Sequence, residues 1–409
     1  MFVAAAVAAG ELVRGGVRRK FEWLVLKLVE IFWCIWRCGD EVLAVVKMKV
    51  AMMMMVKQFP TEPPHWRFCY SMFNNVPFIP FALHHIDAHL RDAICVFYLV
   101  LRALDTIEDD SSIETEVKAP ILRAFHRHIY NRDWHFSCGT KDYKVLMDDF
   151  HHVSTAFLEL DHKYQETIED ITMRMGEGMT KFISKEIETL DDYDEYCHHV
   201  LGLVAIGMLK ILHGCGKQDI VSDDLCDGVG LFLQKIDIIK DYLEDINEMP
   251  KPRIFWPRQI WGKYVNKLED FKDEDNSSEA LLCLNEMITN ALLHVKSYLI
   301  YISSLRDPIM FRFFAFAKVA GIATLALCYN NIQVFRGGVE LRYGLVAKIF
   351  YRTKTMSDVY DGLHDFSLIL KSKINDNDPN ARETKDRINN ILKICGDSGT
   401  LNRRNSYII

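Results

Sequence analysis

Apolar residues recur three and four positions apart through most of this chain, and that spacing constrains its fold more than any other feature. In "NSSEALLCLNEMITNALLHV", Leu281, Leu284, Ile288, Leu292 and Val295 share one helical face, behind Asn and Ser residues suited to capping. The same period runs through "YCHHVLGLVAIGMLKIL" and "DGVGLFLQKIDIIKDYLEDI". Runs that alternate every second residue between hairpin turn signals are hard to find. Only 11 prolines and 21 glycines occur in 409 residues, so long uninterrupted elements are favoured. The pattern predicts an all-α fold, and 49% hydrophobic residues are enough for a sizeable core.

A net charge of −7 without a Lys/Arg stripe argues against nucleic acid as a partner and suits cation binding better. The 11 cysteines are odd in number and include no CxxC pair, which points away from a disulfide framework or zinc site and toward a reducing compartment. Residues 1–56 differ in style from the rest. They combine the basic "RGGVRRK" with "FEWLVLKLVEIFWCIW" and "AMMMMV", and Glu22, Lys27 and Glu30 interrupt what would otherwise approach a spanning segment of about 18 to 20 apolar residues. The segment reads either as a helix that lies on a membrane surface or as an added leader with no role. Residues 57–370 read as the main domain, entered through the loop "FPTEPPHW" and broken by "INEMPKPR" and "FKDEDNSSE". Residues 371–409 are polar, with no terminal membrane helix.

The apolar run "AICVFYLV" is followed at once by "LRALDTIEDD", with four carboxylates in its last six positions. Asp105, Glu108 and Asp109 stand at i, i+3 and i+4, on one helical face about one turn apart, where like charges repel by a few tenths of a kcal/mol per pair. A solvated helix end would explain this stretch alone. It does not explain the repeat: "DIIKDYLEDI" places Asp241, Glu244 and Asp245 at the same spacing, after another apolar helix and with Asp237 one turn earlier. Two such triads predict a shared cavity in which Mg²⁺ is held by a few carboxylates and by substrate phosphate oxygens. Such a site would help an allylic diphosphate to ionise. The resulting carbocation needs a dry pocket with aromatic faces and no nucleophiles. Phe97, Tyr98, Tyr196, Phe232, Phe311, Phe313 and Phe314 are candidates for that lining, most of them expected to be plain core. Arg102, Lys240 and Arg253 are placed to grip phosphate oxygens. The adjacent pairs His84/His85, His151/His152 and His198/His199 point to different helix faces and no HExxH occurs, so histidine ligation is not expected. Cys197 reads as a small core residue.

These blocks, with "MRMGEGM", "FWPRQIWGKY", "ATLALCYNNIQVFRGGV" and "FHRHIYNRDWHFSCGTKDYKVLMDDFHHVSTAFLELDHKYQ", resemble the squalene synthase family, with a plant-like flavour, over roughly residues 58 to 409. The resemblance implies a single-domain isoprenoid-synthase helical bundle around a central cavity. It implies an enzyme that condenses two farnesyl diphosphates through presqualene diphosphate and reduces the product to squalene with NADPH. Asp105, Glu108 and Asp109 match the family's first metal motif and Asp241, Glu244 and Asp245 the second. Tyr196 matches the tyrosine of the first half-reaction and Phe313 a residue of the second; Tyr98 joins them as a catalytic candidate. Arg102, Lys240, Arg253, Arg336 and Arg342 are the basic residues expected to meet diphosphate or NADPH. The family also implies a monomer at the cytosolic face of the endoplasmic reticulum. No Rossmann fingerprint occurs, so NADPH is expected in the same helical cavity.

The chain departs from the family pattern at several chemical positions. "VPFIPF" at 76–81 replaces a Ser-Arg-Ser-Phe block, removing a diphosphate-binding arginine, and its prolines forbid a continuous helix. Asp237 stands for Asn and Lys240 for Arg, so that site gains a negative charge and loses a bidentate fork. Leu201 and Ala205 replace smaller residues, Phe314 replaces a smaller one, Ala317 and Lys318 replace a Pro-Gln pair, and Glu340 and Tyr343 replace basic ones. These changes weigh most on anion binding and reduction, and leave open a catalytically impaired paralogue that keeps the fold and binds Mg-diphosphate or a partner protein. Phytoene synthase shares the fold and first step; "CYNNIQVFRG" favours the squalene branch.

Overall fold

The computed structural model describes residues 39–53, 62–75, 86–216, 218–219, 221–249, 252–401 and 407. The "VPFIPF" block and residues 1–38 lie outside the described residues. Residues 39–53 form α1; α2 (Pro64–Asn74), the long α3 (Ala88–Asp109), α4 (Thr115–His128), α5 (Lys141–Asp148) and α6 (His151–Leu158) follow. Next come α7 (His162–Phe182) and α8 (Leu190–Cys197), and a π-turn at His198–Gly202 runs directly into α9 (Leu203–Gly214). After α10 (Asp223–Lys240) and the single turn α11 (Tyr242–Ile246), the bundle is completed by α12 (Ser277–Ala291), α13 (Val295–Ser304), α14 (Pro308–Cys328), α15 (Tyr343–Arg352), α16 (Met356–Ser372) and α17 (Ala381–Asp397). No strand occurs among the described residues, as the three-and-four spacing predicted.

The central element is α10, which touches the π-turn, α9, α12, α13 and α14. Its approach to the π-turn is possible only with glycine on both sides: a Cβ on Gly230 would lie 2.3 Å from the Gly202 backbone. A second close crossing joins α7 to α4, where a Cβ on Gly176 would meet the Leu122 carbonyl at 2.1 Å. The carboxylate of Asp87 caps α3 by accepting from the N–H groups of His89 and Leu90. That helix is buried on most sides, through Leu90, Ile94, Phe97, Leu101 and Leu104 among others. At its far end the Lys118 ammonium donates to the carbonyls of Glu108 (2.7 Å) and Asp110 (3.2 Å), satisfying acceptors the helix leaves open. The Asp110 carboxylate accepts from the Gly139 N–H at 2.7 Å. The fourth acid of "DTIEDD" is therefore a loop anchor, which leaves the other three free of that role.

Two stretches, Leu190–Gly214 and Pro308–Cys328, are long and apolar enough to cross a membrane, but more than half of the apolar 18-residue window in each is buried inside the molecule, as expected of core helices. The polar segment after 370 contains α17, whose Ile388, Ile391 and Cys395 are buried and which packs on α16. Its polarity belongs to the outer face of an amphipathic helix. The described cysteines are free, nearly all of them buried.

One fully buried amine lacks a hydrogen-bond partner. Lys318 on α14 is fully buried between the rings of Phe232 (3.8 Å) and Tyr298 (4.5 Å), and its Nζ has no hydrogen-bond partner. Burial drives its amine well below the ordinary lysine range. Lys235, equally buried, is by contrast held by Asp194 (2.5 Å), Asn290 (2.6 Å) and His294 (2.9 Å). We expect Lys318→Met to stabilise the protein at pH 7 by about 2 kcal/mol in chemical denaturation, since it removes a desolvated amine from the core. Between the depressed folded value and the unfolded one, near about 10.4, the unfolded chain binds the extra proton, so parent stability rises with pH. The variant should lack that slope.

Candidate active site

The ends of α3 and α10 converge, and the two acid clusters face one another across a cavity of about 280 Å³. Asp105, Glu108 and Asp109 line it from α3; Asp237, Asp241, Glu244 and Asp245 line it from the other side. The second cluster is not on one continuous helix, as its spacing had predicted. Asp241 ends α10 with φ −91° and ψ 13°, its N–H donating to the Asp237 carbonyl at 2.8 Å, and helix resumes for a single turn at Tyr242. Tyr242 fixes this step. It is buried, packs edge-on against Trp256 and Phe335, and its hydroxyl donates to the Leu268 carbonyl at 2.7 Å. Tertiary packing here overrides the local helical period.

Arg253 joins the two clusters. One guanidinium nitrogen donates to Asp109 and the other to Asp245 at 3.2 Å, while the Arg253 N–H donates to the Asp245 carbonyl at 2.9 Å. Burial opposes its charge, but Asp109 and Asp245 more than compensate, so the guanidinium is held above its usual value. Even so, the carboxylates outnumber the cations. Burial pushes Asp245 up to about 7, against the pull of Arg253. It pushes Asp105 up to about 6, with Arg102 opposing and Asp109 adding to the shift. Glu108 is raised by burial and then by Asp109. All three shifts point the same way: the cavity is short of positive charge.

The other candidates divide by position. Tyr196, at the end of α8, lines the cavity, stacked on Phe255 at 4.9 Å and edge-on to Phe182. Burial first, then the field of Glu108 and Asp109, pushes its phenol far above the usual range. Arg102 pairs with Asp105 at 3.5 Å, lies over the rings of Tyr98 and Tyr143, and lines both this cavity and a neighbouring one of about 490 Å³ that also contains Tyr98. Lys240 bonds Asp241 at 2.7 Å beside the site. Phe313 lies half-buried against Phe314 and does not line the cavity. Arg336 and Arg342 do not line it either. The Arg336 guanidinium donates to the carbonyls of Phe271 and Asp273, and Arg342 pairs with Glu41 of α1 at 3.0 Å. Phe97, Phe232 and Phe314 are core. The sequence reading passed over Phe255, whose ring also lies under the Arg253 guanidinium; its one signal was a position two residues after that arginine.

Among the described residues no three acidic, imidazole or thiol groups close on a point where they alone could hold a metal ion. That fits Mg²⁺, which keeps several waters and takes one or two carboxylates together with substrate phosphates. An oxygen-only donor set with surplus negative charge is the right chemistry for that ion.

Comparison with known proteins gives a consistent result. The family model for squalene/phytoene synthase matches residues 79–343. The chain belongs to the squalene/phytoene synthase family. It is 61% identical over 371 residues to squalene synthase of Solanum lycopersicum, covering 90% of each chain. It is 62% identical over 372 residues to squalene synthase 2 of Panax ginseng, covering 90% of this chain and 89% of that one. Its fold matches the solved complex of TcSQS with the ligand BPH1237 at a TM-score of 0.79 and 38% identity, over 82% of this chain and 99% of that one. The bundle is thus an all-α isoprenoid-synthase fold.

Since Arg253 is the cation shared by the two clusters, Arg253→Gln should lower stability by about 1–2 kcal/mol without added metal. Most of that loss should come from the buried Asp245 arm and little from the exposed Asp109 one. Millimolar Mg²⁺ should restore part of the loss in thermal unfolding; no restoration would mean that cations do not enter between the clusters.

Proposed function

We infer that this chain acts as a squalene synthase, joining two farnesyl diphosphates through presqualene diphosphate and reducing that intermediate to squalene with NADPH. The observation that carries this reading is the pairing of two acid clusters across one cavity, in a chain 61% identical to a squalene synthase over 90% of its length. Asp105, Glu108, Asp109, Asp241, Glu244 and Asp245 would hold Mg²⁺, which when bound supplies neutralising charge to a diphosphate leaving group.

The chain's own residues then have distinct tasks. Arg102, pinned between two aromatic rings and Asp105, presents its remaining N–H groups toward both cavities and orients diphosphate. Arg253 and Lys240 add charge at the second cluster. Tyr196 stays protonated because burial and the neighbouring acids disfavour its phenolate, so it contributes a neutral hydroxyl and an aromatic face and not a base. With Phe255 it also offers aromatic surface to a carbocation, beside the apolar Met179, Val200 and Ile238. We assign Phe313 to the second half-reaction and keep Tyr98, which lines the neighbouring cavity with Arg102, as a catalytic candidate. Arg342, 70% exposed, is the arginine most accessible to NADPH; Arg336 would have to give up backbone carbonyls to contact it. Glu340 belongs to the same segment, and its field reaches Lys240.

We assign residues 57–370 to the catalytic domain, with a membrane-surface extension before it and a polar segment after it. We propose further that the protein is a monomer at the cytosolic face of the endoplasmic reticulum, where its lipid substrate and product partition.

Purified protein given labelled farnesyl diphosphate, Mg²⁺ and NADPH should release squalene. Presqualene diphosphate accumulating in its place would show the reductive half to be lost, and unchanged substrate would overturn the reading. Asp105→Asn and Asp241→Asn should each reduce turnover by about 10²-fold or more with far-ultraviolet circular dichroism unchanged. Substantial turnover in either would remove that residue from the metal set. For the reductive half, Glu340→Lys replaces an acid near the approach of an anionic cofactor and should lower the KM for NADPH by about tenfold, measured with farnesyl diphosphate saturating.

A further inference from the structure

Helix α1 has two faces. Ala44 and Met48 are buried against Ala347 and Phe350 of α15, forming a small core separate from the main one. On the opposite side Leu43, Val46, Val50 and Met53 are 54%, 54%, 50% and 72% exposed, spaced at three, four and three residues. These four make a continuous apolar row along the outside of a helix that is already packed on its inner face. Lys47 and Lys49 are exposed as well. At about 100° per residue they fall on opposite sides of the row, each about 80° from its midline. The acids Asp40 and Glu41 stand off the row at the start of the helix, where Glu41 is held by Arg342 at 3.0 Å.

We propose that α1 is a lipid-docking helix whose Leu43, Val46, Val50 and Met53 row enters the surface of an anionic bilayer, with Lys47 and Lys49 on the headgroups at either side. A side chain on each flank can lay its stem along the apolar surface and keep its ammonium at the phosphate level. The charges argue for lipid over the other occupants. A second copy laid on this row would bring four lysines together. The chain's own upstream segment, with Arg14, Arg18, Arg19 and Lys20, would likewise approach with its own positive charge, whereas an anionic leaflet is complementary to both. The inference rests on the membrane location proposed above and names the surface responsible. It is independent of the catalytic assignment, because none of these side chains lines the cavity.

Full-length protein floated with phosphatidylcholine vesicles, with and without phosphatidylserine, tests it. The parent should float with the phosphatidylserine vesicles, and Leu43→Gln/Val46→Gln/Val50→Gln should lower its partition coefficient by about tenfold or more. Lys47→Glu/Lys49→Glu should erase the preference for phosphatidylserine. Benzoylphenylalanine incorporated in place of Val50 should cross-link to lipid on irradiation, and turnover of detergent-dispersed substrate should be unchanged in every variant. If the parent does not float, this proposal and the membrane location both fall. If the triple variant floats like the parent, or the cross-link goes to a second copy or to residues 1–38, only the docking row is overturned. The catalytic reading stands or falls by squalene formation alone.

Discussion

Seven carboxylates share one cavity with few cations to balance them, and much of the structure follows from that imbalance. Each acid cluster alone is an ordinary helix end. Brought face to face and partly withdrawn from bulk water, they leave Asp105, Glu108 and Asp245 with raised proton affinity, chiefly through burial, and a demand for positive charge that Arg253 and Arg102 meet only in part. A protein does not hold such repulsion for stability. It is tolerated because the bundle around it is deeply packed, and it is useful because a divalent cation carried in with a polyanionic substrate supplies the missing charge.

The bundle maintains that arrangement through contacts remote from the chemistry. Lys118 and Gly139 tie down the end of α3, so that Asp105, Glu108 and Asp109 point inward while Asp110 is occupied elsewhere. Gly202 and Gly230 let α10 press against the π-turn that follows Tyr196, which brings the second acid cluster and the tyrosine to one wall. Tyr242 locks the step between α10 and α11. The residues read from the sequence as departures from the family pattern leave these acids in place: Lys318 is buried in the core, Asp237 lines the cavity, and the field of Glu340 reaches Lys240 beside the second cluster.

Most of the charged lining of the cavity was legible because helical spacing is local. Asp105, Glu108 and Asp109 share a face because one helix carries them, and the repeat of their spacing after a second apolar helix pointed to a common cavity even though that helix breaks at Asp241. Phe255 was missed because loop residues carry no period, and its contact with Tyr196 arises from segments far apart in the chain. Arg336 and Arg342 were expected to meet diphosphate or NADPH; the structure gives Arg336 to loop carbonyls and Arg342 to Glu41, partners no local pattern reveals.

The amino-acid sequence by itself determined the helical class, the inward-facing acids and the cation chemistry they invite, since periodicity and charge type depend only on neighbours within a turn or two. Only the tertiary structure decided that α10 breaks at Asp241, that Arg253 spans both clusters, and that α1 buries one face while turning an apolar row outward. Those outcomes depend on which distant surfaces meet, and burial and electrostatic pairing between such surfaces are set by packing in three dimensions.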